Sequence, residues 1–165
     1  MAKERMTEEY GRPATKAELE KLMGFLWETY ERISAKWPKK TAYERLTTAL
    51  DAMHEEGVLA CHEGGMTRQM ASDQAVMNAM TADDVQGVVY YHDQAIEDAV
   101  SSAVMLIQFE TLDDQEGAPS NEEIGRKVER ALQDAGFTTN WDGDGSSAIR
   151  LLDFPWQRRL KKSDI

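Results

Sequence analysis

Leu19, Leu22, Met23, Leu26, Tyr30, Ile33 and Trp37 recur every three or four residues, the spacing that puts apolar side chains on one face of a helix. Just ahead of them, Thr15-Lys16-Ala17-Glu18 matches a capping box, in which a hydroxyl and a carboxylate satisfy N–H groups that a first helical turn leaves unpaired. Pro38 ends this helix, because its ring blocks the preceding turn. A second box, Thr41-Ala42-Tyr43-Glu44, opens a helix with Leu46, Ala49, Leu50 and Met53 on one face and Gly57 as its stop. The short Pro-Lys-Lys link makes residues 15–56 an expected antiparallel helical hairpin. Residues 1–14, polar and holding Gly11 and Pro13, are read as a flexible arm.

From Gly57 the rhythm becomes strand and helix in alternation. Strands are expected at 58–62 and 87–92, with a Met-rich helix between them over 67–80 that carries Met70, Met77 and Met80. Ala95, Ile96, Ala99 and Val100 belong to a short helix. The most apolar run, Ala103–Phe109, is expected at the centre of the sheet. A third box, Ser120-Asn121-Glu122-Glu123, starts a helix with Ile124, Val128, Ala131 and Leu132 on one face and Gly136 as its stop. Phe137–Asp142 and Ala148–Leu152 read as a hairpin around Asp142-Gly143-Asp144-Gly145. The pattern predicts a single α/β (α+β-like) domain. Its mixed sheet of about five strands with packed helices spans 57–154, and a basic tail follows over 155–165.

Composition narrows the classes of partner. The net charge of −11 opposes binding to nucleic acid phosphates, whose affinity comes largely from Lys and Arg. The acidity has two readings, solubility or a face that docks a basic protein partner. Glu55, Glu56, Asp83, Asp84, Asp113, Asp114 and Glu116 are the candidates for such a face. The tail carries Arg158, Arg159, Lys161 and Lys162, which fold back on the protein's own acidic surface or contact an anion. One cysteine excludes an intramolecular disulfide. The start lacks the apolar stretch of a secretory signal, and no run approaches a membrane span. The expected location is cytoplasmic.

Two apolar runs end on histidine: Val58-Leu59-Ala60-Cys61-His62 and Val88-Val89-Tyr90-Tyr91-His92. Parallel neighbouring strands would carry both imidazoles to one edge, the carboxyl edge where ligands of open α/β sheets usually sit. No metal-ligand spacing of the Cys-x-x-Cys or His-x-x-x-His kind is present, so neither a metal nor another cofactor is expected. Cys61 is read as a small buried hydrophobe rather than a nucleophile. The two glycines of His62-Glu63-Gly64-Gly65-Met66-Thr67 lack the Lys-Ser/Thr of a phosphate loop and are read as turn formers. Asp142 and Asp144 lack the Glu that closes a calcium loop.

Three stretches together carry a family resemblance: Gly64-Gly65-Met66-Thr67, then Tyr90-Tyr91-His92-Asp93-Gln94 with Ala99-Val100, then Trp141-Asp142-Gly143-Asp144 with Ile149-Arg150 and Trp156. The set resembles an uncharacterised bacterial domain family of unknown function over about residues 45–159. The resemblance implies a shared fold, with Tyr91, His92, Gln94, Asp142 and Arg150 as matching polar positions, and it brings no known activity.

Two functions compete on this reading. The first is a non-enzymatic binding or regulatory protein acting through an acidic surface on a protein partner. The second is an enzyme or small-ligand binder at the strand ends, with His92 as acid or base, Tyr91 and Gln94 orienting, and Asp142 and Arg150 supplying charge. A structural role in a homo-oligomer is a third reading, because the Met-rich helix could leave an apolar face uncovered.

Overall fold

The computed structural model describes residues 13–112, 117–161 and 163. The expected arm therefore lies outside the described residues except for Pro13 and Ala14. The chain divides into two compact units, Met1–Lys39 with Lys161–Ile165, and Lys40–Leu160. The expected helical hairpin spans that division.

In the first unit, helix α1 runs over Lys16–Ser34. The expected capping box is formed: Glu18 N donates to Thr15 Oγ1 at 3.3 Å and Thr15 N donates to the Glu18 carboxylate at 2.8 Å. No α1 residue is buried, and Met23, Phe25, Leu26 and Ile33 are exposed. Tyr30 links two tryptophans, its ring 5.3 Å from Trp27 and 5.8 Å from Trp37.

The second unit is α+β. It contains α2 (Ala42–Ala52), a 3-10 turn (Met53–Glu56), β1 (Val58–Cys61), α3 (Arg68–Ala79), β2 (Gly87–Tyr90) and α4 (Asp93–Ser102). These are followed by β3 (Met105–Thr111), α5 (Asn121–Asp134), β4 (Thr138–Asn140) and β5 (Ile149–Leu152). The strands form one mixed sheet in the order β1-β2-β3-β5-β4, with β3 at its centre. β1 and β2 are parallel, and the other pairs are antiparallel. β3 starts two residues later than its apolar run, because Ala103 is taken up as the left-handed cap of α4, with φ 56°.

Alternation along the strands builds two cores. Val89, Tyr91, Ile107, Ile149 and Leu151 face α2, α4 and α5 in the larger one, where Leu46, Leu50 and Leu132 are fully buried. Each such leucine contributes roughly 1.5–3 kcal/mol by leaving water. Val88, Tyr90 and Cys61 face α3 in the smaller one. The inward stripe of α3 is Ala71, Ala75 and Ala79, small enough to seat the helix close on β1 and β2, while Met70, Met77 and Met80 are exposed. A second close approach falls at Gly125 of α5, where a Cβ would stand 2.7 Å from the rings of Phe109 and Trp141.

Candidate functional site

β1 and β2 pair with Cys61 opposite Tyr90, so both chains leave the sheet at one rim. Gly64 N donates to Tyr91 O at 3.1 Å and Asp93 N to Gly65 O at 3.0 Å, lashing the two exits together. The shared rim expected for His62 and His92 is therefore present. Their rings diverge because extended backbone turns successive side chains to opposite sides.

His62 lies on the α2 side. Its Nε2 is 2.8 Å from Asp51 Oδ1 and its Nδ1 is 3.2 Å from the Tyr91 hydroxyl. His92 follows Tyr91 in extended backbone (φ −128°, ψ 170°) and takes the other direction. There it caps α4, its Nδ1 accepting from Ala95 N at 3.4 Å. It is 6% exposed. Burial holds its pKa below the ordinary histidine value, aided by Arg68 and opposed by Asp93 and Asp98.

Around Tyr91 the fold assembles a polar network that no sequence motif announces. Tyr91 is fully buried, and its hydroxyl meets His62, with Tyr43 near enough to raise its pKa. Tyr43 donates to the Glu63 carboxylate at 3.2 Å, and Arg158 donates to the other Glu63 oxygen at 2.5 Å. Trp156 stands edge-on to both tyrosines, its ring 5.1 Å from Tyr43 and 6.3 Å from Tyr91. Burial raises the pKa of Tyr91, and the neighbouring Tyr43 and Glu63 raise it further. Burial, then Glu63, also raises that of Tyr43. A Tyr91 ring sealed from solvent orients His62 and Tyr43 rather than meeting a solute. Arg158 on Glu63, with Arg159 3.5 Å from Glu44, places these two basic residues on the protein's own carboxylates.

The remaining expected site residues are not gathered at this rim. Gln94 is exposed in the first turn of α4. Asp142 belongs to the β4–β5 connection, where it accepts from Asp144 N at 3.0 Å and Ser147 Oγ at 3.2 Å. That connection sits at the opposite end of the sheet, because β5 runs antiparallel to β3 and its last residues, not its first, approach the His92 rim. Arg150 is exposed in the middle of β5, paired with Leu106 and Asn140, and β3 separates it from β2. Cys61 is buried beside α3, its thiol pKa pushed up by burial, and Asn78 Nδ2 is 3.8 Å from its sulfur. Beside the β1 edge, His62, Glu63, Gly65 and Met70 border an open depression of about 600 Å³. Among the described residues no group of three or more His, Cys, Asp and Glu could hold a metal ion.

The candidate acidic residues collect at the amino ends of β1 and β2. Glu55 and Glu56 close the 3-10 turn, and Asp83 and Asp84 precede β2; all four are exposed. Gln86 N donates to Gly57 O at 2.8 Å, and Gly57 approaches the Asp84 backbone closely enough that a Cβ there would stand 3.2 Å from its carbonyl oxygen. Gly57 adopts the left-handed conformation that turns the chain from the 3-10 turn into β1. Leu112 N donates to Gln86 O at 2.9 Å, and the chain then enters Asp113, Asp114 and Glu116, which lie outside the described residues.

No helix among the described residues is long and apolar enough to cross a membrane. No curated protein and no solved structure matches the chain. A family model matches residues 1–160, taking in the stretch on which the family resemblance was read and the first helix as well. The chain belongs to that family, described as Domain of unknown function (DUF6891).

Proposed function

We propose that this protein is a cytoplasmic, non-enzymatic binding module that docks a basic protein partner on its acidic rim. One observation carries the reading: the exposed Glu55 and Glu56, just before Gly57, and Asp83 and Asp84, just before β2, share one end of the sheet, where Gly57 packs on the Asp84 backbone and bonds Gln86. The net charge of −11 adds long-range attraction for a basic surface, which accelerates encounter and is screened by salt. The competing reading has His92 as acid or base with Asp142 and Arg150 supplying charge; it has less support, since the direction of β5 puts Asp142 at the other end of the sheet and β3 lies between Arg150 and β2.

The test is a pull-down from host lysate at low and high ionic strength. It compares the unaltered protein with Glu55→Lys/Asp84→Lys and with the control Glu97→Lys/Asp98→Lys, which makes the same change in net charge on α4. A basic protein retained at low salt by the unaltered chain and the control, and lost about tenfold or more from the rim variant, supports the reading. Equal retention by both variants, or an empty pull-down at low salt, overturns it.

A further inference from the structure

A second concave region lies on the face of the sheet that carries α3. α3 packs on β1 and β2, and β3 continues the sheet beyond them. A cleft of about 700 Å³ opens there, within the size range of small-molecule sites. One wall is the first turns of α3, with Arg68 and Ser72, and the other is Asn121 of α5 with Ser146 of the β4–β5 connection. Tyr90 and Glu110 lie between them.

The charges in this cleft are arranged around one hydroxyl. Tyr90 is fully buried and donates to the Glu110 carboxylate. Arg68 and Ser72 line the same cleft beside this phenol, and they oppose the rise in its pKa that burial and Glu110 produce. Arg68 and Glu110 thus bring opposite charges to one cleft with Tyr90, yet no ion pair joins them among the described residues. Arg68 is exposed and Glu110 is half-buried, so each keeps a solvent side. Asn121 accepts Thr111 N at 2.8 Å through its side-chain oxygen, which leaves its amide N–H groups as donors on the wall.

This donor set discriminates by charge. A phosphate or another plain anion would gain Arg68 but meet Glu110, in a chain of net charge −11. A plain cation would gain Glu110 but meet Arg68. A molecule bearing both signs satisfies both side chains at once, while the Tyr90 hydroxyl holds the Glu110 carboxylate in place. We propose that this cleft binds a small zwitterion of dipeptide size, its carboxylate on Arg68, its ammonium on Glu110, and its amide carbonyl within reach of Asn121. The inference is independent of the acidic rim, and failure of either reading leaves the other standing.

Amide-resolved NMR spectra of the full chain, titrated with L-Ala-L-Ala, its N-acetyl derivative and its C-terminal amide, provide the test. The free dipeptide is expected to shift Ser72, Glu110, Asn121 and Ser146. Removing either ligand charge should weaken binding about tenfold or more, the size of one lost charge-assisted hydrogen bond. In Glu110→Gln the N-acetyl compound should bind like the free dipeptide, and in Arg68→Gln the C-terminal amide should do so. If Glu110→Gln fails to fold, the exposed Arg68→Gln carries the comparison alone. Equal binding of all three compounds by the unaltered protein, or no shift at these residues at the solubility limit of the dipeptide, overturns the proposal.

Discussion

Tyr90 and Tyr91 are neighbours in the chain, yet their hydroxyls serve opposite faces of the sheet: Tyr90 donates to Glu110 in the α3-side cleft, and Tyr91 meets His62 on the α2 side. The pleat alone produces this division. It also makes the two faces separable by mutation, since each tyrosine ring is fully buried and holds its own set of polar partners.

Tyr91→Phe removes the hydroxyl that bonds His62 and keeps the ring that stands edge-on to Trp156. The expected cost is about 1–3 kcal/mol, because partners left in a buried setting lose a hydrogen bond without gaining water. Urea denaturation measures it. A double-mutant cycle with His62→Ala should show a coupling of at least about 0.5 kcal/mol, and strict additivity would show that the two groups do not interact.

His92 makes stability fall in mild acid. Its folded-state pKa lies below the ordinary value, chiefly through burial, so the unfolded chain takes up the proton first. The contribution is full above the unfolded pKa of about 6.5 and is lost as the pH falls toward the folded pKa. His92→Asn keeps a side chain able to cap α4 and has no titrating group. The slope of unfolding free energy against pH between about 5 and 7 should be shallower in this variant. An unchanged slope would assign the acid sensitivity to other groups.

Gly125→Ala forces a methyl group against Phe109 and Trp141, where a Cβ has 2.7 Å of room on a packed helix–sheet interface. Overpacking of this kind costs about 1–3 kcal/mol, and it outweighs the gain in helix propensity of about 1 kcal/mol that replacing glycine normally brings. Thermal unfolding would reveal the sign.

The methionines of α3 invert the usual assignment of apolar side chains to the core. Met77→Lys with Met80→Lys should change stability by no more than about 0.5 kcal/mol per site, because both side chains are exposed. Ala75→Met, on the buried stripe, should cost about 1–3 kcal/mol. Light scattering on the lysine variant also tests the homo-oligomer reading. A loss of mass relative to the unaltered protein would assign the exposed methionines to an interface between copies.

Much of the fold was legible residue by residue. Capping boxes at Thr15, Thr41 and Ser120 each open a helix where the sequence pattern places it, because the capping hydrogen bonds reach only three residues along the chain. The β4–β5 hairpin and the central β3 follow from turn residues and the depth of hydrophobicity, and β1 and β2 from short apolar runs whose parallel pairing comes from the fold. α3 was legible as a helix but not in its orientation. Its small alanines, rather than its large methionines, fit against two closely paired strands, and that preference depends on a surface the helix sequence does not contain.

By itself, the sequence determined which segments are helix or strand, since these follow from local periodicity, and it brought His62 and His92 to one rim only on the condition of parallel pairing, which the structure supplies. Only the tertiary structure decided which side of the sheet each imidazole takes, which partners Tyr43, Asp51 and Arg158 bring to Tyr91 and His62, and that Asp142 lies at the far end from His92. Those outcomes depend on strand direction and register between segments tens of residues apart. A shift of one residue there turns every side chain to the other face while leaving the local pattern unchanged.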